Sequence, residues 1–229
     1  MTVMPDELNL LKITSSDLET WSKSLRARDQ LPRLVRMLVL ETCPDASRCY
    51  MPYGDDIGRP GCDGIVESIK GARNVPSGLS YWEMGTNEKP ETKARDDYNK
   101  RRDKIQTEQA SDITFVFVTS RSWTKGESWA EEKRKVGFWK DVCVIDACTL
   151  SCWINEHPII KLWLSRSLGK CVPGFRHLEW AWDEWRNACN PSLPSLLFES
   201  EVKRHKRKHS TKSLVEGDAI MRTYVHITA

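Results

Sequence analysis

Apolar residues recur along this chain in two rhythms, one near the helical period and one of alternating or unbroken short runs. The switches between them outline an α/β order. Leu31, Leu34, Val35, Leu38 and Val39 form one apolar stripe at helical spacing, so residues 14–42 read as helix packed on a sheet. Ser16 with Glu19 three residues on has the spacing of a capping box, and Pro32 suits a first turn. Glycines and prolines punctuate the next stretch, in which "GCDGIVESI" is the first strand, with "LSYWEMGT" (79–86) as the second arm of a hairpin. "KPETKARDDYNKRRDKIQTEQA" (89–110) is rich in helix formers. "DITFVFVTS" (112–120) is apolar on both faces, as an interior strand is. A helix over 127–136, a buried strand "DVCVIDA" and two short helices split at Pro158 come next, the second stopping at Gly169. "HLEWAWDEWRNAC" predicts a further helix, and "MRTYVHITA" a final strand. The fold class expected is α/β, a mixed central sheet flanked by helices.

Composition narrows the class. With 229 residues, 39% hydrophobic and 29% charged, this is an ordinary globular chain with room for one core and an appendage. No apolar run approaches the roughly 18 residues of a membrane span, and no basic-then-apolar leader opens the chain, so the expected compartment is the cytoplasm and no membrane partner is expected. The eight cysteines include no C-x-x-C pair, and they read as reduced and mostly buried rather than as a zinc site. Net charge is only +3, but "EVKRHKRKH" (201–209) concentrates basic residues. Such a run is a solvated segment or a contact for phosphates. The organisation expected is one domain over 14–200 and a basic segment over 201–229 that leads to further domains.

Candidate chemistry sits in the hairpin. Side chains alternate along a strand, so Asp63, Ile65 and Glu67 share a face, as do Tyr81, Glu83 and Gly85. A hairpin that sets Asp63 beside Glu83 brings two carboxylates together in a partly dry place, where they repel and a divalent cation relieves the repulsion. Mg²⁺ is held by one or two carboxylates, with water and substrate phosphate completing its shell. Such a metal generates hydroxide for phosphodiester hydrolysis. Glu67 is a possible third ligand, and Asp55 and Asp56 read as loop residues. An Asp between glycines is also a common turn residue. Trp123, Trp129 and Trp139 read as core, with base stacking as the other option. His157, before a proline, reads as structural.

These residues resemble the PD-(D/E)xK nuclease superfamily, whose core runs helix, strand with Asp, strand with (D/E)-x-K, helix, strand. The same order spans residues 16–147. The resemblance implies a restriction-endonuclease-like core with Asp63 and Glu83 on Mg²⁺ or Mn²⁺. The chain departs from the motif at Glu83-Met84-Gly85, where glycine stands in place of lysine, and Lys93 on the next helix could reach the vacant space. Lys93, Asp97, Arg101 and Lys104 fall on one helical face, which would set Arg101, Lys104 and the neighbouring Lys100 along a DNA backbone, with Asp97 holding Lys93 or Arg101. "PSGLSYWEMGT" together with "KARDDYNKR" is similar to the nuclease-like domain at the N-terminus of bacterial antiphage proteins with a STAND-type NTPase. That similarity implies a DNA-cutting effector of an antiviral system, switched on by multimerisation through other regions. Glycine in place of the motif lysine leaves a second expectation, a catalytically inactive module that binds nucleic acid or a partner domain. A hydrolase of small nucleotides is a third expectation, and the basic helix and tail speak against it.

Overall fold

The computed structural model describes residues 12–54, 61–170, 185 and 187–189. The chain divides into two units, Met1–Cys171 and Val172–Ala229, and every element named here belongs to the first. The basic run 201–209, the strand expected at 221–229, the boundary expected at 200, and Asp55 and Asp56 lie outside the described residues.

The leading helix is two helices. α1 (Ser15–Trp21) is capped by Thr14, whose side chain pairs reciprocally with Asp17, so the capping box begins two residues before the one expected at Ser16 and Glu19. Ser24 then caps α2 (Leu25–Thr42) by accepting from the Ala27 N–H. Its cap moves the helix start upstream, and Pro32 falls inside α2 rather than in a first turn. The short edge strand β1 (Arg48–Tyr50) was not expected; three residues carry too little pattern to be read.

β2 (Gly64–Ser68) and β3 (Gly78–Gly85) form the expected antiparallel hairpin. α3 (Pro90–Arg102) comes next and stops eight residues short of the expected end; after a break, α4 (Thr107–Ala110) adds one turn. β4 (Ile113–Thr119), α5 (Gly126–Val136), β5 (Asp141–Ile145), α6 (Ala147–Asn155) and α7 (Pro158–Ser167) complete the unit. The five-stranded sheet has the order β1-β2-β3-β4-β5. β3 is its middle strand and its junction, antiparallel to β2 and parallel to β4, while β5 pairs in parallel with β4. β4 is buried along its whole length, as its unbroken apolar run requires. No described helix is long and apolar enough to cross a membrane.

Alternation along the strands divides the core in two. Val66, Trp82, Met84, Val116 and Val118 point to one face, where the α2 stripe and Leu150, Trp153 and Ile154 of α6 cover them. Phe115 and Phe117 point to the other, against Ala94 and Tyr98 of α3 and Trp129 and Ala130 of α5. Trp123, Trp129 and Trp139 are all buried there and stack on no surface. Tyr98 has three aromatic neighbours in this cluster, with ring centroids 5.4 Å (Phe115), 5.8 Å (Trp129) and 6.4 Å (Trp139) away. His157 meets the Thr42 hydroxyl at the α6–α7 break, the structural place expected of it. The seven described cysteines are free, and only Cys43 is buried, so most of them are more accessible than expected.

Phe115 joins β4, α3 and the tryptophans, so Phe115→Ala should lower unfolding free energy by about 3–5 kcal/mol in urea melts. A loss below about 1 kcal/mol would show that this aromatic cluster does not hold α3 on the sheet.

Candidate functional site

The β2–β3 register places the acids together. The ladder ends at the Gly64–Trp82 pair, so Asp63 and Glu83 both stand just past its end, near enough for their charges to interact, and Glu83 is on the face that α3 covers. Asp63 Oδ2 accepts from the Met84 backbone N–H at 2.9 Å, which fixes the carboxylate across the end of the hairpin. Glu83 pairs with Phe117 of β4, one residue past the end of the β2 ladder, and is only 1% exposed.

α3 supplies the partners. Its buried residues are Ala94, Asp97, Tyr98 and Arg101, one helical stripe of two apolar and two charged side chains. Tyr98 and Ala94 anchor the helix on the aromatic cluster, and this turns Asp97 and Arg101 toward the acids. The Arg101 guanidinium donates through Nε to Glu83 Oε1 and through a terminal nitrogen to the Gly61 carbonyl. Arg101 is 7% exposed, so the residue expected along a DNA backbone instead faces inward as the counter-ion of Glu83. Lys100 is exposed, and Lys104 lies beyond the end of α3, because the helix stops before the expected face reaches it.

Lys93 occupies the space that glycine leaves. A β-carbon at Gly85 would stand 3.0 Å from Lys93 Cγ and 3.6 Å from its Cε, so the lysine stem lies over the glycine. Its ammonium donates to Asp97 Oδ1 at 2.8 Å, making Lys93 rather than Arg101 the cation that Asp97 holds. Asp97 is 5% exposed, and its Oδ2 has no hydrogen-bond partner among the described residues. Glu67 pairs with Leu79, four residues along the strand from the Asp63 position and so about 13 Å away. It is exposed and does not join the cluster.

Electrostatics follow from burial. Desolvation, with the charges of Asp63 and Asp97 adding to it, pushes Glu83 up to about 8 against the pull of Arg101. Burial likewise raises Asp97, opposed by Lys93. For Arg101, burial works against the charge, but the bond to Glu83 outweighs it and the group is raised. Burial and the nearby Glu83 raise the Cys62 thiol to about 11, which makes it a poor nucleophile at neutral pH. In formal charges, Asp63 and Asp97 balance Lys93 and Arg101, and Glu83 is the one acid in excess. A proton or a cation completes the balance.

Among the described residues no cluster of three His, Cys, Asp or Glu side chains forms a ready-made metal cage. Two carboxylates with an unpartnered oxygen beside them fit the looser requirement of Mg²⁺, which retains water and takes phosphate oxygens as ligands. The helix row Lys93-Asp97-Arg101 was visible in the sequence; the depth to which Asp97 and Arg101 are buried was not. The signal lay in Ala94 and Tyr98, whose spacing marks the inward face and carries Asp97 and Arg101 with it. The Gly61 carbonyl and the Met84 N–H had no signal, since both are backbone groups positioned by tertiary structure.

Comparison with protein-family models, with curated proteins and with solved structures gives no match for this chain.

A carboxyl raised on folding keeps a proton that the unfolded chain has lost. Glu83 therefore favours the folded state below its ordinary value of 4.5, and that contribution disappears as pH rises to about 8. Unfolding free energy, read from urea melts, should fall as pH rises through this window, by at most about 1.4 kcal/mol per pH unit from this group. Glu83→Gln should flatten the profile; an identical slope in both proteins would mean that Glu83 is ionised throughout.

Proposed function

We propose that this chain is a metal-dependent endonuclease domain of the PD-(D/E)xK type, with a restriction-endonuclease-like core, acting on DNA as the effector of an antiviral defence protein. One observation carries the reading. The lysine stem lies against Gly85, the position where the motif carries its lysine, on the same face as Asp63 and Glu83. A lysine reaching this point from α3 supports a motif whose third member has moved from strand to helix. The order helix, hairpin with two acids, helix, parallel strand agrees with it.

In this reading Asp63 and Glu83 would hold Mg²⁺ or Mn²⁺, which supplies a hydroxide nucleophile and neutralises charge at phosphorus. The Met84 N–H keeps the Asp63 carboxylate across the hairpin end. Asp97 fixes the direction of the Lys93 ammonium, which would orient the attacking water or offset charge on the phosphate. Of the cations expected along a DNA backbone, the exposed Lys100 is the one that α3 still presents to it, and its contact would be independent of sequence. The cytoplasm, and assembly through regions other than the described unit, remain part of the proposal.

A second reading has its own support. Arg101 already occupies Glu83 as a buried partner, as expected of a fold that keeps the acids only for structure and binds nucleic acid or a partner domain without cutting.

Plasmid cleavage at high protein concentration with Mg²⁺ or Mn²⁺ tests both. Asp63→Ala and Glu83→Ala should abolish cutting, and Lys93→Ala should reduce it by about 10²-fold or more. Gly85 needs no left-handed backbone, so it accepts a side chain once the stem above it is removed. Lys93→Ala/Gly85→Lys should therefore restore much of the lost activity. Full activity in Asp63→Ala would sink the nuclease reading. No cutting by the unaltered protein, combined with no heat of Mn²⁺ binding in it or in a folded Arg101→Gln variant, would establish the inactive module.

A further inference from the structure

We propose that Arg101 is a resident counter-ion that holds the acidic site closed, and that a divalent cation binds only by displacing its guanidinium from Glu83. This deepens the proposed nuclease function and rests on Asp63 and Glu83 being the metal's ligands. Arg101 does not reach Glu83 alone. It also donates to the Gly61 carbonyl, two residues before Asp63, so one guanidinium ties the β3 acid to the chain that carries the other. A metal ion on the same carboxylate would sit against a second positive charge, within a side-chain shell that is 8% exposed at Arg101 and 2% at Glu83. The two cations are alternatives.

The helix provides a place for the displaced group. Asp97 precedes Arg101 by four residues, the spacing at which side chains on a helix meet. Lys93 uses only Oδ1 of Asp97, and Oδ2 is buried without a partner among the described residues. Oδ2 is the acceptor to which Arg101 transfers when it leaves Glu83. Asp97 is thus a positioning residue of the open state, and an unsatisfied buried oxygen in the closed state is the cost of keeping that acceptor available.

Calorimetric titration of the full chain with Mn²⁺ tests the exchange. Arg101→Gln should bind at least tenfold tighter than the unaltered protein, and Arg101→Gln/Glu83→Gln should lose that gain. Asp97→Asn should weaken binding several-fold when Arg101 is present and leave Arg101→Gln unchanged, which a merely structural or metal-ligating Asp97 would not do. Should circular dichroism show Arg101→Gln unfolded, Arg101→Lys keeps a cation but cannot bridge Glu83 and Gly61 together, and it should also bind tighter. Binding by the unaltered protein that is equal or weaker in the Arg101 variants overturns the latch and leaves the metal site standing. No Mn²⁺ binding by the unaltered protein or by any folded Arg101 variant overturns the metal reading itself, and the latch with it.

Discussion

A carboxylate on an interior strand can be answered only from above or below, because strand side chains stand out of the plane of the sheet. Glu83 is buried on β3, beside β4 and just past the end of the β2 ladder. Its answer comes from α3, and α3 can give it only because the aromatic cluster holds the helix at one rotation. Tyr98 packs edge-on against Phe115 and Trp129, and that packing fixes where Asp97, one residue before it, and Arg101, three residues after it, must point. The charged cluster and the apolar cluster are two ends of one interface.

The two faces of the sheet therefore have different tasks. The face covered by α2 and α6 is mostly hydrocarbon and indole, with Trp82 and Trp153 among its largest fully buried members and the buried Ser80 hydroxyl accepting from the Trp82 indole. The face covered by α3 and α5 grades from aromatic packing around Phe115 to an ionic network around Glu83. Buried ion pairs of this kind add little net stability over a well-packed apolar equivalent, and losing one partner is expensive. Such a network at one end of an otherwise apolar face is therefore more informative about use than about folding.

The hairpin, the interior strand β4 and the α2 stripe were legible because each shows its period directly in hydropathy. The closeness of Asp63 and Glu83 past the end of the hairpin ladder was legible too, since alternation fixes faces once the hairpin is assumed. The burial of Asp97 and Arg101 was not legible because the inward stripe of α3 is half charged: by hydropathy both belong to solvent, and only packing turns them inward. The division of the first helix was missed because Thr14 and Ser16 both offer a box spacing, and Ser24 competes as a second cap. Propensity says that such residues start helices; it does not say which of three neighbours will.

The connection between Arg101 and Gly61 spans 40 residues, and that between Met84 and Asp63 spans 21. A chain made from its N-terminus delivers both acids before either helix cation. Until α3 is complete and docked, Asp63 and Glu83 have no basic residue of this row to face, and the hairpin that carries them leaves its acids to water. The cluster is then assembled by the arrival of a helix rather than by the strands, so a nascent chain that has paired β2 with β3 still lacks the site.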